Sequence, residues 1–163
     1  MIDIETINAL PDLVTDFGDI AEHAPWVAEL ASQERPFSDR QAMIKAFQNA
    51  ILTADKALQL SLVRAHPDLA GKAKLTKDSQ FEQEGAGLDT LTKHELARFT
   101  RLNDSYKSRF GFPFIFAVKG ADKFDILESF EQRINNDSAS EFAMALEMVC
   151  RIVSFRLHDK VVP

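Results

Sequence analysis

Apolar residues recur every three or four positions along most of this chain, and that period commits it to helices. The clearest run lies between about Ser138 and His158, where Phe142, Leu146, Val149 and Ile152 or Val153 form one stripe. The same period appears in 24–34 after Pro25, in Met43, Ile44, Phe47 and Ile51, and in Ala57, Leu58 and Leu62. It returns in 77–84, in 92–110 (Leu96, Phe99, Leu102, Tyr106, Phe110) and in 122–135 (Phe124, Leu127, Phe130, Ile134). Ser38 with Gln41 three residues later signals a capping box, and Gly85-Ala86-Gly87 stops the 77–84 helix.

One segment breaks the period. FGFPFIFAVKG, residues 110–120, is nearly all apolar and is interrupted by Pro113. It is too short and too proline-broken for a regular helix, and no other strong strand run offers it a partner. The expectation is an all-α, single-domain helical bundle spanning 1–163, with an extended apolar connector near 111–119. A chain of 163 residues can bury a core without disulfides or metals.

Charge and composition exclude several classes. Lys plus Arg is 19 and Asp plus Glu is 25, a net charge of -6. Nucleic acid and anionic membrane surfaces both call for clustered positive charge, so neither is an expected partner. No run approaches the ~20 apolar residues of a membrane span. The single cysteine, Cys150, reads as a small core residue. The opening MIDIETINAL lacks a basic region followed by an apolar run, and the closing HDKVVP is not a peroxisomal tripeptide. The expected location is cytoplasmic.

Four places carry candidate chemistry. In LVRAHPDLAGKAKL, His66 stands where a helix ends. A histidine there complements the helix dipole, and Pro67 cannot continue the helix. Equally, histidine titrates near neutrality, and Pro67 restricts the backbone beside it, which suits general acid or base work. In KDSQFEQEGAG, Ser79, Glu82 and Gln83 share a helix face, offering a hydroxyl, a carboxylate and an amide. That face is either a binding surface or a solvated one, and S-x-x-E is also a common capping box.

Arg156 continues the apolar stripe of the last helix. A guanidinium near the core calls for an anion or several acceptors. An internal acid, escape past the bundle end, or a bound carboxylate would each serve. Finally, the apolar 110–120 segment must satisfy its backbone polar groups, through neighbouring side chains, water or a planar polar ligand. Metal ligation is not expected. The histidines at 23, 66, 94 and 158 show no H-E-x-x-H spacing, and one cysteine forms no C-x-x-C. Lys72 and Lys74 read as solvated, and no phosphate-binding glycine loop is present.

Four motifs occur in order: AHPDLAGK (65–72), SQFEQEGAGL (79–88), LNDSYKSRFGFPFIFAVKG (102–120) and RIVSFRL (151–157). Together they resemble the 2-oxo-4-hydroxy-4-carboxy-5-ureidoimidazoline (OHCU) decarboxylases of urate breakdown, over nearly the whole chain. The resemblance implies an all-α homodimer without a cofactor, converting a small ureidoimidazoline to (S)-allantoin and carbon dioxide. It implies a catalytic His66 beside Pro67, with Glu82 and Arg156. It implies substrate binding by Ser79, Gln83 and the backbone of Phe114, Ile115, Phe116, Ala117 and Val118. A non-catalytic ureide-binding module, a structural protein with an internal polar cluster and a metal hydrolase remain the alternatives, the last disfavoured by ligand spacing.

Overall fold

The structure is a computed structural model and describes residues 1–71 and 75–163. Lys72 and Lys74, read above as solvated, lie outside the described residues. Nine helices occur among those described: α1 (Ile4–Ala9), α2 (Val14–Phe17), α3 (Trp26–Ser32), α4 (Arg40–Thr53), α5 (Lys56–Ala65), α6 (Lys77–Gly85), α7 (Lys93–Phe110), α8 (Lys123–Arg133) and α9 (Ser138–Lys160). No strand occurs among the described residues; the one β feature is an isolated parallel bridge, Ile2 to Val161. The chain is all-α.

Seven of these helices follow the apolar period. The other two, α1 and α2, have 6 and 4 residues, too few to display it. Local chemistry marks α1 instead: the Asp3 carboxylate accepts from the Thr6 N–H at 2.8 Å. The cap of α4 is Asp39 and not Ser38, because the Asp39 carboxylate accepts from the Ala42 N–H at 2.8 Å. Helix α7 opens with a reciprocal capping box between Thr92 and Glu95. It stops where Gly111 turns left-handed, φ 77°, a conformation open to glycine without steric cost.

The chain divides into two compact units, Met1–Ala65 with Val149–Pro163, and His66–Met148. Helix α9 contributes its first half to the second unit and its last half to the first. The first unit buries Ile7, Phe17, Val27, Met43, Ile44, Phe47 and Val153. Phe17 and Phe47 meet edge to face, 6.5 Å between centroids. The Asn8 amide fastens the backbone of Phe37 on both sides, donating to its carbonyl at 2.9 Å and accepting from its N–H at 2.8 Å.

The second unit has an aromatic core. Phe114 stacks on Phe130 at 3.9 Å and 8°. Tyr106 meets the edges of Phe112, Phe114 and Phe130. On α7 the expected face buries Phe99 and Tyr106, but Leu96 is exposed. On α8 it buries Leu127 and Phe130, while Phe124 is 63% exposed. Phe124 is in the opening turn of α8, under the Lys123 ammonium at 5.3 Å, and Ile126 takes the core position. The apolar connector is present: Pro113 to Val118 form neither helix nor strand, and all but Phe116 are buried.

Candidate active site

His66 is the first residue beyond α5 and is 6% exposed, so it is a core-facing side chain and not a surface cap. The residues after it are held from two helices. The Ala70 N–H donates to Gln83 Oε1 at 3.0 Å, and Gln83 Nε2 reaches the Asp68 carbonyl at 3.5 Å. Asn103 Nδ2 donates to the Leu69 carbonyl at 2.9 Å, and Lys107 pairs with the Asp68 carboxylate at 2.6 Å. These contacts hold Ala70 at φ 54°, a left-handed conformation uncommon for a residue with a Cβ. The sequence Pro-Asp-Leu-Ala after His66 is thus an anchored loop. A cavity of about 870 Å³ is lined by Asp68, Ala70 and Gly71 from this loop and by Thr100, Asn103 and Asp104 from α7.

Helix α6 begins one turn before the face read from the sequence. Its cap is Thr76, whose hydroxyl accepts from the Ser79 N–H at 3.2 Å, so Ser79 is not the cap of a Ser-x-x-Glu box. Ser79 and Gln83 are buried, and Glu82 beside them is half-buried. The face is therefore not a solvated one.

The connector is fastened by a residue the sequence reading did not single out. The Arg133 Nη1 donates to the Ile115 carbonyl at 2.7 Å, and its guanidinium lies 4.4 Å from the Phe114 ring centroid. Arg133 is paired in turn with Glu141, which is 0% exposed, through Nη2 at 3.0 Å and Nε at 3.2 Å. Asn136 Nδ2 and the Tyr106 hydroxyl donate to the same carboxylate. Burial, and then this bond to Glu141, push the Tyr106 phenol well above the ordinary tyrosine range. A signal for Arg133 and Glu141 existed in the sequence. Arg133 is three residues beyond Phe130 and seven beyond Ile126; Glu141 is four before Ala145 and eight before Val149. Both polar residues sit on apolar stripes, as Arg156 does.

Arg156 belongs to the first unit and is 3% exposed. Of the options open at the sequence level, the internal acid is present. Arg156 Nη2 pairs with Glu22 at 2.8 Å, and Nη1 donates to the Ile20 carbonyl at 3.1 Å. Glu22 lies between α2 and α3, 1% exposed and left-handed at φ 54°. Its charge offsets the guanidinium, so burial alone does not call for a bound anion. Within the second unit the structure joins the loop after His66 to Gln83, and the connector to Arg133. Among the described residues, no three His, Cys, Asp or Glu side chains are grouped to hold a metal ion.

Comparison with known proteins adds a second line of observation. The sequence profile of the OHCU decarboxylase family matches residues 9–158. A 2-oxo-4-hydroxy-4-carboxy-5-ureidoimidazoline decarboxylase of Haloferax volcanii is 40% identical over 159 residues, covering 96% of this chain and 95% of its own length. The uric acid degradation bifunctional protein of Bacillus subtilis is 40% identical over 147 residues, 90% of this chain and 30% of that one. Among solved structures, an (S)-allantoin synthase aligns with TM-score 0.82 at 28% identity, over 99% of this chain and 54% of that chain.

Proposed function

The chain belongs to the OHCU decarboxylase family, and on that premise we propose how its own residues carry the reaction. The protein decarboxylates 2-oxo-4-hydroxy-4-carboxy-5-ureidoimidazoline to allantoin in urate degradation. The observation that carries this is the 40% identity to a decarboxylase of that name along 96% of the chain.

The substrate supplies its own electron sink. Its carboxylate sits on a carbon next to a C=N bond. When the C–C bond to carbon dioxide breaks, the electron pair forms a C=C bond, and the imine nitrogen takes a proton. The resulting enol returns to the carbonyl as the neighbouring carbon is protonated, and the face of that protonation sets the (S) product. What the protein must supply is orientation, one shuttled proton and exclusion of water.

His66 moves the proton, and Pro67 restricts the backbone that presents it. Glu82 and Ser79 bind the ureido and ring N–H groups. Gln83, whose amide engages Asp68 and Ala70, acts through the loop that it holds. Phe114 to Val118 supply backbone hydrogen bonds and a dry wall. Arg156, oriented by Glu22, binds a substrate oxygen. The chain works as a single-domain, cytoplasmic homodimer, in keeping with the resemblance that the motifs carry. No helix among the described residues is long and apolar enough to cross a membrane.

The test generates the substrate in situ from urate with urate oxidase and hydroxyisourate hydrolase, and follows circular dichroism. A fast enantioselective rise of (S)-allantoin is expected on adding this protein. A trace no faster than the spontaneous, racemic decay would leave the ureide-binding module as the reading, tested next by thermal shift with allantoin.

A further inference from the structure

The connector Pro113–Val118 has no helical or sheet ladder to set the direction of its peptide groups. Arg133 sets it at one point. Its Nη1 holds the Ile115 carbonyl at 2.7 Å, and its guanidinium lies over the Phe114 ring at 4.4 Å. The same ring stacks on Phe130, three residues before Arg133 on α8. Two neighbouring residues of the connector are therefore referenced to one helix.

The consequence lies on the other side of the peptide plane. The Ile115 carbonyl and the Phe116 N–H belong to one planar, trans peptide group, so they point in opposite directions. Holding the carbonyl against Arg133 turns the Phe116 N–H away from it. Among the described residues nothing accepts a hydrogen bond from that N–H, and Phe116 is the connector residue from Pro113 to Val118 that is not fully buried. Arg133 is itself immobilised, since Glu141 takes two of its nitrogens and is bonded further by Asn136 and Tyr106.

We propose that Arg133 is a positioning residue, which fixes the Ile115–Phe116 peptide so that the Phe116 N–H is aimed at the substrate. The proposal rests on the reading that Phe114–Val118 binds substrate, and it adds the residue that sets their geometry. Arg133 itself touches no reacting atom.

The experiment compares wild type with Arg133→Lys, with Ile126→Ala as a destabilised core control on the same helix. Lysine keeps a charge for Glu141, but a single ammonium does not reproduce the planar fork that meets Glu141 and Ile115 together. Two quantities are read well below each melting temperature: amide exchange of the Phe114–Val118 peptide, and kcat/KM for OHCU. Arg133→Lys is expected to exchange faster there and to lose roughly 10- to 100-fold in kcat/KM, in line with one charge-assisted hydrogen bond. The loss falls mainly on KM, and Ile126→Ala keeps both quantities near wild type.

If Arg133→Lys does not fold, Glu141→Gln takes its place with the same expectation, since it frees Arg133 without removing it. Unchanged exchange, unchanged kcat/KM, or an equal loss in Ile126→Ala overturns the proposal. Wild-type protein without decarboxylase activity overturns the functional reading instead, and the exchange measurement separates the two failures.

Discussion

Arg156 and Glu22, 134 residues apart in sequence, form an ion pair at 2.8 Å with side chains 3% and 2% exposed. Breaking such a pair from one side leaves a charge buried without its counter-charge. Glu22→Ala is expected to destabilise the protein by about 3–5 kcal/mol, measured by urea unfolding. Replacing both residues with methionine is expected to recover most of that stability, as volume-matched apolar pairs do. If Arg156 anchors substrate, the double variant folds but does not turn over OHCU; wild-type kcat/KM in that variant would remove Arg156 from the reaction.

His66→Asn tests the proton step. Asparagine keeps polarity at the α5 terminus but does not titrate. The expected loss is about 10²–10⁴-fold in kcat with a smaller change in KM, read from the appearance of (S)-allantoin. Undiminished turnover would return His66 to the bland reading of a buried helix terminus.

Tyr106 is the sole tyrosine in the chain, so tyrosinate absorbance reports it alone. Its phenol is held above the ordinary value of 10.0 by burial first and by Glu141 second. A raised folded-state value means the native protein binds that proton more tightly than the unfolded chain. The stabilisation is therefore complete below pH about 10 and declines as pH rises beyond it, by up to ~1.4 kcal/mol per pH unit. The native absorbance is expected to stay flat through that pH and to rise only with unfolding. A reversible phenolate transition near 10 in folded protein would contradict the buried bond to Glu141.

Gln83→Leu keeps the bulk of the side chain and removes both of its bonds to the loop after His66. The Ala70 N–H then loses its acceptor, and a stability loss of about 1–3 kcal/mol is expected, by denaturant titration. Amide exchange at Asp68 to Ala70 is expected to accelerate, with KM rising. Protected amides and an unchanged KM would show that Asn103 and Lys107 hold the loop without it.

The sequence by itself determined the helices from α3 onward, because three-and-four apolar spacing is a local record of which face is buried. It marked the ends of α6 and α7 through Gly85 and Gly111, and it identified the connector, since Pro113 in an apolar run fits neither ladder. The motifs around His66, Glu82, Phe114 and Arg156 pointed to the family. Tertiary structure decided what those polar residues are bonded to. Glu22 meets Arg156 across 134 positions, and Gln83 meets Ala70 across 13. Arg133 reaches Ile115 across 18 and Glu141 across 8. Periodicity carries no information about such pairs, because partner choice depends on how helices and loops pack and not on their own repeat. It also placed Phe124 in the core of α8, where packing leaves it 63% exposed and buries Ile126 instead. A stripe specifies a face to within a residue or two; the neighbouring elements choose which side chains on it lose water.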